Sequence, residues 1–482
     1  MKKKAHKPVL ALVALAALSA LALPLSAQEE PPSQDKPKPA GSSLDPLPPV
    51  NAGDQDQNSQ NAMIPDSTPL TGVQNPTLGS PEVRHSYWVP GFQWSGSLQS
   101  HSYSQTPNSS WIMNNYLVGN FSLLQAWSHA ELDVNYSAGG FFSSDTSQQG
   151  NGYYQQLALS QTFRQNRWTL QLLDQFSYLP QSSIGFGGGT GLGTPTGGGA
   201  SGPVIPGLNN NYVPNQSIFA AVGARYSNAS SVQVTYNVTP RGSITLSGSY
   251  GLLHFVDPGN IDNDTTTGTI GYNYTLTRND AIGVFYRFSA YHYPGQPEAN
   301  GDHSANFAYS RKLTGRLALQ LYGGPQFITS RVTANNRDSL TYGVNSGASL
   351  VYGLPKGGFN VGYTHGMSGG SGVLTGTISD QLTGSATHTL SRIWSGQLNM
   401  GYSHNAPLSN VPNATTQTFN TWNAGGGVSR PLGRTSTLAV AYNATLTDYA
   451  LGGCTGTNCS SSNIFNYVTI NFQWHTRPLV LP

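Results

Sequence analysis

The feature that most constrains this chain is a regular alternation of apolar and polar side chains, which residues 393–403 show clearly. Neighbouring side chains along a β-strand point to opposite faces, so the pattern predicts strands with one apolar and one polar face. In residues 393–403 the apolar face would carry Trp394, Leu398, Met400 and Tyr402, and the polar face Ser395, Gln397, Asn399 and Ser403. Such an apolar face must be covered, either by a second sheet or by lipid.

Repetition of this pattern favours lipid as the covering medium. Between residues 241 and 474, pairs of alternating stretches are joined by short turns and followed by longer loops rich in Gly, Asn and Ser. The short turns recur at intervals of 37 to 40 residues, centred near Pro240, Arg278, Gly315, Pro355, Arg392 and Leu432. Repeated hairpins long enough to cross a bilayer predict an all-β fold, a transmembrane antiparallel up-and-down β-barrel.

The composition supports a barrel wall rather than a soluble core. Hydrophobic residues make up 37% of the chain and charged residues 9%, whereas soluble domains average about 45–50% and about a quarter. Barrel strands need apolar residues on one face only. Beyond the amino-terminal segment there is no apolar run of about 18 residues, which a transmembrane helix would need. The formal net charge of +2 comes without a basic stripe, so no nucleic-acid partner is predicted.

The amino-terminal region predicts secretion followed by a tether. Residues 1–27 combine a lysine-rich start, an apolar run and a small-residue site, which is typical of a signal peptide cleaved between Ala27 and Gln28. Residues 28–88 are rich in Pro, Gln and Asp without apolar periodicity, so we expect a disordered periplasmic tether. A plug or a peptidoglycan-binding segment is the alternative. The barrel would occupy residues 89–475, and residues 476–482 would form a C-terminal tail.

The alternation predicts about eighteen strands, within a range of sixteen to twenty. They are 91–103, 114–125, 129–139, 153–163, 167–178, 231–239, 242–254, 265–276, 280–292, 302–312, 315–330, 338–353, 357–366, 378–390, 394–404, 416–429, 434–449 and 463–475. An even count places both termini on one side, with short turns in the periplasm and long loops outside. Residues 179–230 are too long for an ordinary loop, which leaves two alternatives: two further strands, or one strand that extends above the membrane. Whether this segment blocks the lumen stays open.

The parity of each strand predicts which side chains face inward. Around residue 246, Ile244, Leu246 and Tyr250 would meet lipid, whereas Thr245, Ser247 and Ser249 would face the interior. Applied to the other strands, the same rule gives these pore-lining candidates: Gln171, Arg287, Gln320, Gln397, Asn399 and Asn471. A mostly neutral wall favours neutral, hydroxyl-rich solutes over ions, because pores select ions through charged rings.

The last strand and the two cysteines carry further signals. The outer face of the last strand would be Val468, Ile470, Phe472 and Trp474, which resembles the C-terminal signal read by barrel-assembly machinery. Cys454 and Cys459 fall in a predicted outer loop, and their spacing predicts a local disulfide in an oxidising compartment. A zinc site would need two more ligands nearby.

No group of residues predicts catalysis, a metal site or a cofactor. The glycine-rich residues 185–193 lack the Lys-Ser/Thr that completes a phosphate-binding loop. Serine is so abundant that chance Ser–His pairs carry no weight as nucleophile and base. His254, His292 and His404 fall near the predicted outer ends of strands, where packing explains them. We therefore expect a protein that is not an enzyme.

Residues 236–251 (Tyr-Asn-Val-Thr-Pro-Arg-Gly-Ser-Ile-Thr-Leu-Ser-Gly-Ser-Tyr-Gly) form a hairpin that resembles those of porin-like outer-membrane β-barrels of diderm bacteria. The resemblance covers residues 92–474. It implies a location in the cell outer membrane, with outer-membrane lipid and the barrel-assembly machinery as partners. The expected function is a weakly selective channel for small polar or neutral solutes. The alternatives are an exopolysaccharide export barrel and a structural or surface-interaction barrel without an open pore. Assembly into a homo-oligomer is a further possibility.

Overall fold

The structure is a computed structural model that describes eleven stretches of the chain. They are residues 86–103, 111–144, 151–179, 224–256, 260–314, 316–332, 337–369, 374–408, 417–451, 460–477 and 479–480. The cleavage site at Ala27 and Gln28, the two cysteines, residues 180–223 and all of the predicted tether except residues 86–88 lie outside these stretches. The predicted signal peptide, disulfide and extra strands therefore stay predictions.

Eighteen long antiparallel strands and one short one make up the fold. They are β1 (Tyr87–Tyr103), β2 (Trp111–Ala126), β3 (Ala130–Ser143), β4 (Gly152–Gln165), β5 (Trp168–Leu179), β6 (Arg225–Asn237), β7 (Gly242–Phe255), β8 (Asn263–Thr275), β9 (Asp280–His292), β10 (Glu298–Lys312), β11 (Leu317–Val332), β12 (Arg337–Leu354), β13 (Gly357–Ser368), β14 (Thr377–Thr389), β15 (Ser395–Pro407), β16 (Gln417–Pro431), β17 (Ser436–Leu451), β18 (Ser460–His475) and β19 (Leu479–Val480). Within the described residues, no helix is long and apolar enough to cross a membrane.

The sheet closes on itself. Each long strand pairs with its neighbours in chain order, and β1 pairs with β18 from Gly91↔His475 to Tyr103↔Asn463. The predicted all-β, eighteen-strand, up-and-down barrel is confirmed. Every predicted strand is present with ends that agree to within four residues, except that β6 begins six residues earlier than predicted. One addition was not predicted: β19 extends the seam by pairing Leu479 and Val480 with Trp88 and Tyr87.

The connections differ in length at the two ends of the barrel. At one end, called the turn end, eight short turns join the strands, and the barrel begins and finishes there at β1 and β18. At the other, called the loop end, lie the longer connections, including residues 256–262 and 369–376. This separation is the one predicted from the positions of Pro240, Arg278 and Arg392, and it is typical of outer-membrane barrels.

The outer face is apolar and the inner face polar, the reverse of a soluble protein. On β7, Ile244, Leu246 and Tyr250 are each at least 41% exposed, whereas inward Thr245, Ser247 and Ser249 are at most 8% exposed. The parity predicted for β7 is therefore confirmed. Other large apolar side chains that are exposed on the outer face include Val284, Leu321, Leu398, Met400 and Ile470.

Aromatic and polar residues mark the edges of the apolar belt. Near the turn end the outer face carries Trp168 and Trp474, and nearer the loop end it carries Trp111 and Trp422. Two such aromatic girdles flank the apolar band of barrels that sit in a membrane. Beyond the girdle at the loop end, four outward polar residues lie directly opposite one another on β13 to β16: His365, Asp380, His404 and Asn420.

Replacing Leu398 by arginine tests the assignment of faces. Leu398 is 65% exposed on the outer face of β15, midway between outward Trp394 and Tyr402, so Leu398→Arg should lower the free energy of unfolding from lipid by about 2–4 kcal/mol. Its inward neighbour Gln397 is the matched control, and Gln397→Arg should cost much less. Equilibrium unfolding in lipid vesicles measures both. A larger loss for Gln397→Arg would show that the two faces of β15 had been exchanged.

Candidate solute passage

The inner wall of the barrel is built from neutral polar side chains. Serine, threonine, asparagine and glutamine fill the inward positions of nearly every strand, and most of those that are described are less than a tenth exposed. On β15 to β17, Asn399 donates from Nδ2 to Oδ1 of Asn423 (3.5 Å) and of Asn443 (3.4 Å), and Asn423 donates to Thr445 (3.0 Å). Gly425 leaves room for this network, because a Cβ there would lie 1.6 Å from Asn443 Oδ1.

All six pore-lining candidates have inward parity, but the structure does not bring them together. Asn399 and Gln397 share the inner face of β15, whereas Gln171, Arg287, Gln320 and Asn471 lie on β5, β9, β11 and β18. Gln320, Asn399 and Asn471 are each at most 7% exposed. Their role in lining a pore stays a prediction, since each is one part of a continuous wall.

The inward charges that form ion pairs sit on neighbouring strands. Arg287 on β9 contacts Asp302 on β10 with Nη2 and Oδ2 3.3 Å apart, and the Asp302 side chain is fully buried. Gln326 on β11 donates from Nε2 to the other carboxylate oxygen at 2.8 Å. At the turn end, Arg164 lies 3.6 Å from Glu131. Sequence parity placed Arg287 inside but missed its partner, because cross-strand register could not be predicted.

The connection between β13 and β14 leaves the wall and crosses the barrel at the loop end. Pairing of β13 with β12 stops at His365, whereas its pairing with β14 continues to Ser368↔Thr377. Beyond this point Asn263 of β8 donates to the Gly369 carbonyl (3.2 Å), and Asn300 of β10 donates to the Thr375 carbonyl (2.9 Å). Strands β8 and β13 are separated by four others in the wall, so these bonds span the interior. We call residues 366–369 and 374–377 the crossing segment.

An apolar cluster packs one end of the crossing segment against the wall. Met367 packs with Tyr291, Tyr293 and Ile328, and all four are at most 4% exposed. Burial raises the pKa of the Tyr293 phenol, so this group is neutral at physiological pH. The cluster therefore adds no charge to the passage.

Glycines permit the close approach of the crossing segment to the wall. A Cβ on Gly369 would lie 2.2 Å from Asn263 Nδ2 and 3.2 Å from the Tyr291 ring. Gly376 has a φ of +86°, and a Cβ there would lie 2.7 Å from Asn300 Nδ2. Residues 366–377 contain several glycines, and this was the available signal for the segment. It was missed because glycine-rich stretches were interpreted only as flexible loops.

A closed barrel with an apolar outside, a polar inside and two aromatic girdles is a transmembrane β-barrel of the outer-membrane type. No family model matches the chain, and no curated protein matches it.

Solved structures of Pseudomonas aeruginosa proteins resemble the barrel. The outer-membrane protein OpdK, determined with vanillate, has a TM-score of 0.42 and 10% identity, covering 81% of this chain and 99% of OpdK. OpdL has a TM-score of 0.42 and 10% identity, covering 80% of this chain and 99% of OpdL. OccK2 (OpdF), determined with glucuronate, has a TM-score of 0.40 and 9% identity, covering 80% of this chain and 98% of OccK2. At such identities the roles of individual residues rest on this chain's own geometry.

Breaking the inward ion pair should change the charge of the passage. Asp302→Asn leaves the Arg287 guanidinium without its carboxylate, so the zero-current potential across a salt gradient in a planar bilayer should shift towards anion selectivity. Arg287→Gln should shift it much less, because the fully buried Asp302 carboxyl takes up a proton once its cationic partner is gone. The double variant, which has neither charge, should stay near the wild-type value. Equal potentials in both single variants would show that the pair lies outside the ion path.

Proposed function

We propose that this protein is an outer-membrane channel for small polar, mainly neutral, solutes. The observation that carries the proposal is the inner wall of a closed eighteen-strand barrel, which consists of neutral hydrogen-bonding side chains. Barrels of sixteen to eighteen strands are wide enough for an aqueous lumen. A wall rich in amides and hydroxyls offers replacement hydrogen bonds to a hydrated solute without a strong electric field.

The distribution of inward charges favours the passage of neutral solutes over ions. Arg287 is compensated by Asp302, and Glu131 by Arg164. Selectivity for ions requires rings of uncompensated charge along a pore. Weak selectivity among small neutral molecules follows, with hydrogen-bonding capacity and size as the main criteria.

The crossing segment favours small molecules over a polymer. It bridges the interior between β13–β14 and β8–β10 at the loop end, held by the Asn263 and Asn300 amides and by a hydrogen bond from Thr375 to Glu298. These contacts place the segment inside the loop end of the barrel, where it narrows the passage. A narrower passage suits small solutes better than a polymer.

We also propose that the protein has no catalytic activity. Nucleophilic catalysis needs a base beside an activated hydroxyl in a shielded site. His254, His365 and His404 have outward parity in their strands, and their side chains contact Asp262, Asp380 and Asn420 respectively. These contacts lie on the outer face of the barrel, away from the solute passage.

Releasing the crossing segment should widen the channel. In the double variant Asn263→Ala and Asn300→Ala, the two amide donors that hold Gly369 and Thr375 are lost. Single-channel conductance in planar bilayers should rise, and proteoliposomes should swell faster in larger neutral sugars. Asn423→Ala is the matched control, because this amide lies in the wall away from the segment. If planar bilayers that contain correctly folded wild-type protein showed no conductance, the channel proposal would be overturned and a structural barrel would be favoured.

A further inference from the structure

A carboxylate lies in the middle of the apolar outer face of the barrel. From the turn end to the loop end, the outward side chains of β5 are Trp168, Leu170, Leu172, Asp174, Phe176 and Tyr178. Among the outward side chains of the described strands, Asp174 is the only carboxylate with an outward aromatic residue of its own strand on either side. It therefore lies between the two aromatic girdles, where hydrocarbon surrounds the barrel.

Neighbouring polar groups satisfy Asp174 only in part. Ser230 on β6 donates to Asp174 Oδ1 at 2.5 Å, and Asn228 donates from Nδ2 to the same oxygen at 3.3 Å. Asn228 also donates to the Gln175 carbonyl at 3.2 Å. Within the described part of the chain, none of these bonds reaches Oδ2 of Asp174. The patch thus keeps acceptor capacity that lipid tails cannot use.

Donors lie on the same outer face, one strand away. Gln155 and Gln161 on β4 share the parity of outward Tyr153 and Phe163. Gln161 Nε2 has no hydrogen-bond partner among the described residues. It is buried in the single chain, so it donates to another chain only after its side chain rotates outward. The face formed by β4 to β6 therefore carries both a carboxylate that can accept and amides that can donate, so it is complementary to itself.

We propose that the outer face of β4 to β6 binds a second copy of this chain through the patch formed by Gln155, Gln161, Asp174, Asn228 and Ser230. In a two-fold contact, the same surface on each protomer supplies donors to the acceptors of the other. Tyrosines border the patch towards the loop end: Tyr178 lies 4.4 Å from Tyr153 and 4.7 Å from Tyr226, measured between ring centroids. Aromatic rings of this kind are enriched at protein interfaces.

Lipid alone would be an unfavourable cover for this patch. Polar side chains inside a membrane are costly unless they pair with one another or with protein groups, and polar groups between membrane-embedded segments associate by hydrogen bonding. The inference depends on the outer face and is independent of what passes through the lumen. Failure of the channel assay would leave it unchanged.

Photo-crosslinking of the full chain in the outer membrane tests this contact. Val232 is outward, 41% exposed and two residues from Ser230, so p-benzoylphenylalanine at position 232 should give an adduct with the mass of two chains. The same probe at position 398 on β15, where Leu398 is also outward, is the matched control and should give mainly lipid adducts. Lipid adducts at both positions, or a crosslink within one chain at 232, would overturn the proposal.

Variants of Asp174 test the patch itself. Asp174→Leu should reduce the two-chain adduct at position 232 several-fold, because the acceptor at the centre of the contact is lost. The heat-modifiable mobility of the folded barrel on gels should persist, because leucine suits a lipid-facing position. Should Asp174→Leu fail to fold, Asp174→Asn can replace it, because asparagine keeps the shape of the side chain but loses the charge. This variant should also reduce the yield of the two-chain adduct. An unchanged adduct yield in a folded variant would overturn the role of the patch.

Discussion

Every other feature of this protein depends on the closure of its hydrogen-bonded sheet. A strand edge inside hydrocarbon leaves backbone groups without partners, so only a closed barrel can cross a membrane as strands. The seam between β1 and β18 closes the ring over thirteen residue pairs, and β19 continues it towards the turn end. Once the ring is closed, the two faces of the sheet are assigned to two solvents, and the alternation of side chains follows.

That assignment gives the protein a polar core. The side chains that pack most tightly, such as Thr245, Ser289 and Asn306, are hydrophilic, and they form hydrogen bonds with neighbours on the same wall. Soluble domains stabilise their interiors by burying apolar surface. Here the apolar surface faces lipid, while the interior holds an ordered network of amides, hydroxyls and ion pairs.

The sequence predicts the strands and their faces well because both depend on local alternation. Leu398 and Asn399 were assigned to opposite faces from parity alone, and the structure agrees. Contacts between distant strands could not be predicted in the same way. The pairing of Arg287 with Asp302 depends on register, and the bond from Asn263 to Gly369 joins residues 106 positions apart. The outward position of Asp174 follows from parity, but its partners on β6 come after a long connection whose length hides the register.

The place where β13 leaves the wall lies just beyond the last outward aromatic residue of this strand. Its last pairing with β12 is at His365, two residues beyond outward Tyr363. Beyond this level, the edge of β12 has no paired neighbour on the β13 side among the described residues, and unpaired backbone groups need water or other polar partners. The outward row His365, Asp380, His404 and Asn420 lies at the same level and faces an aqueous or headgroup environment. A strand that turned inward any lower would expose a polar edge to hydrocarbon. The depth at which the crossing segment enters the lumen therefore depends on how far the wall must stay paired to shield its backbone groups from lipid.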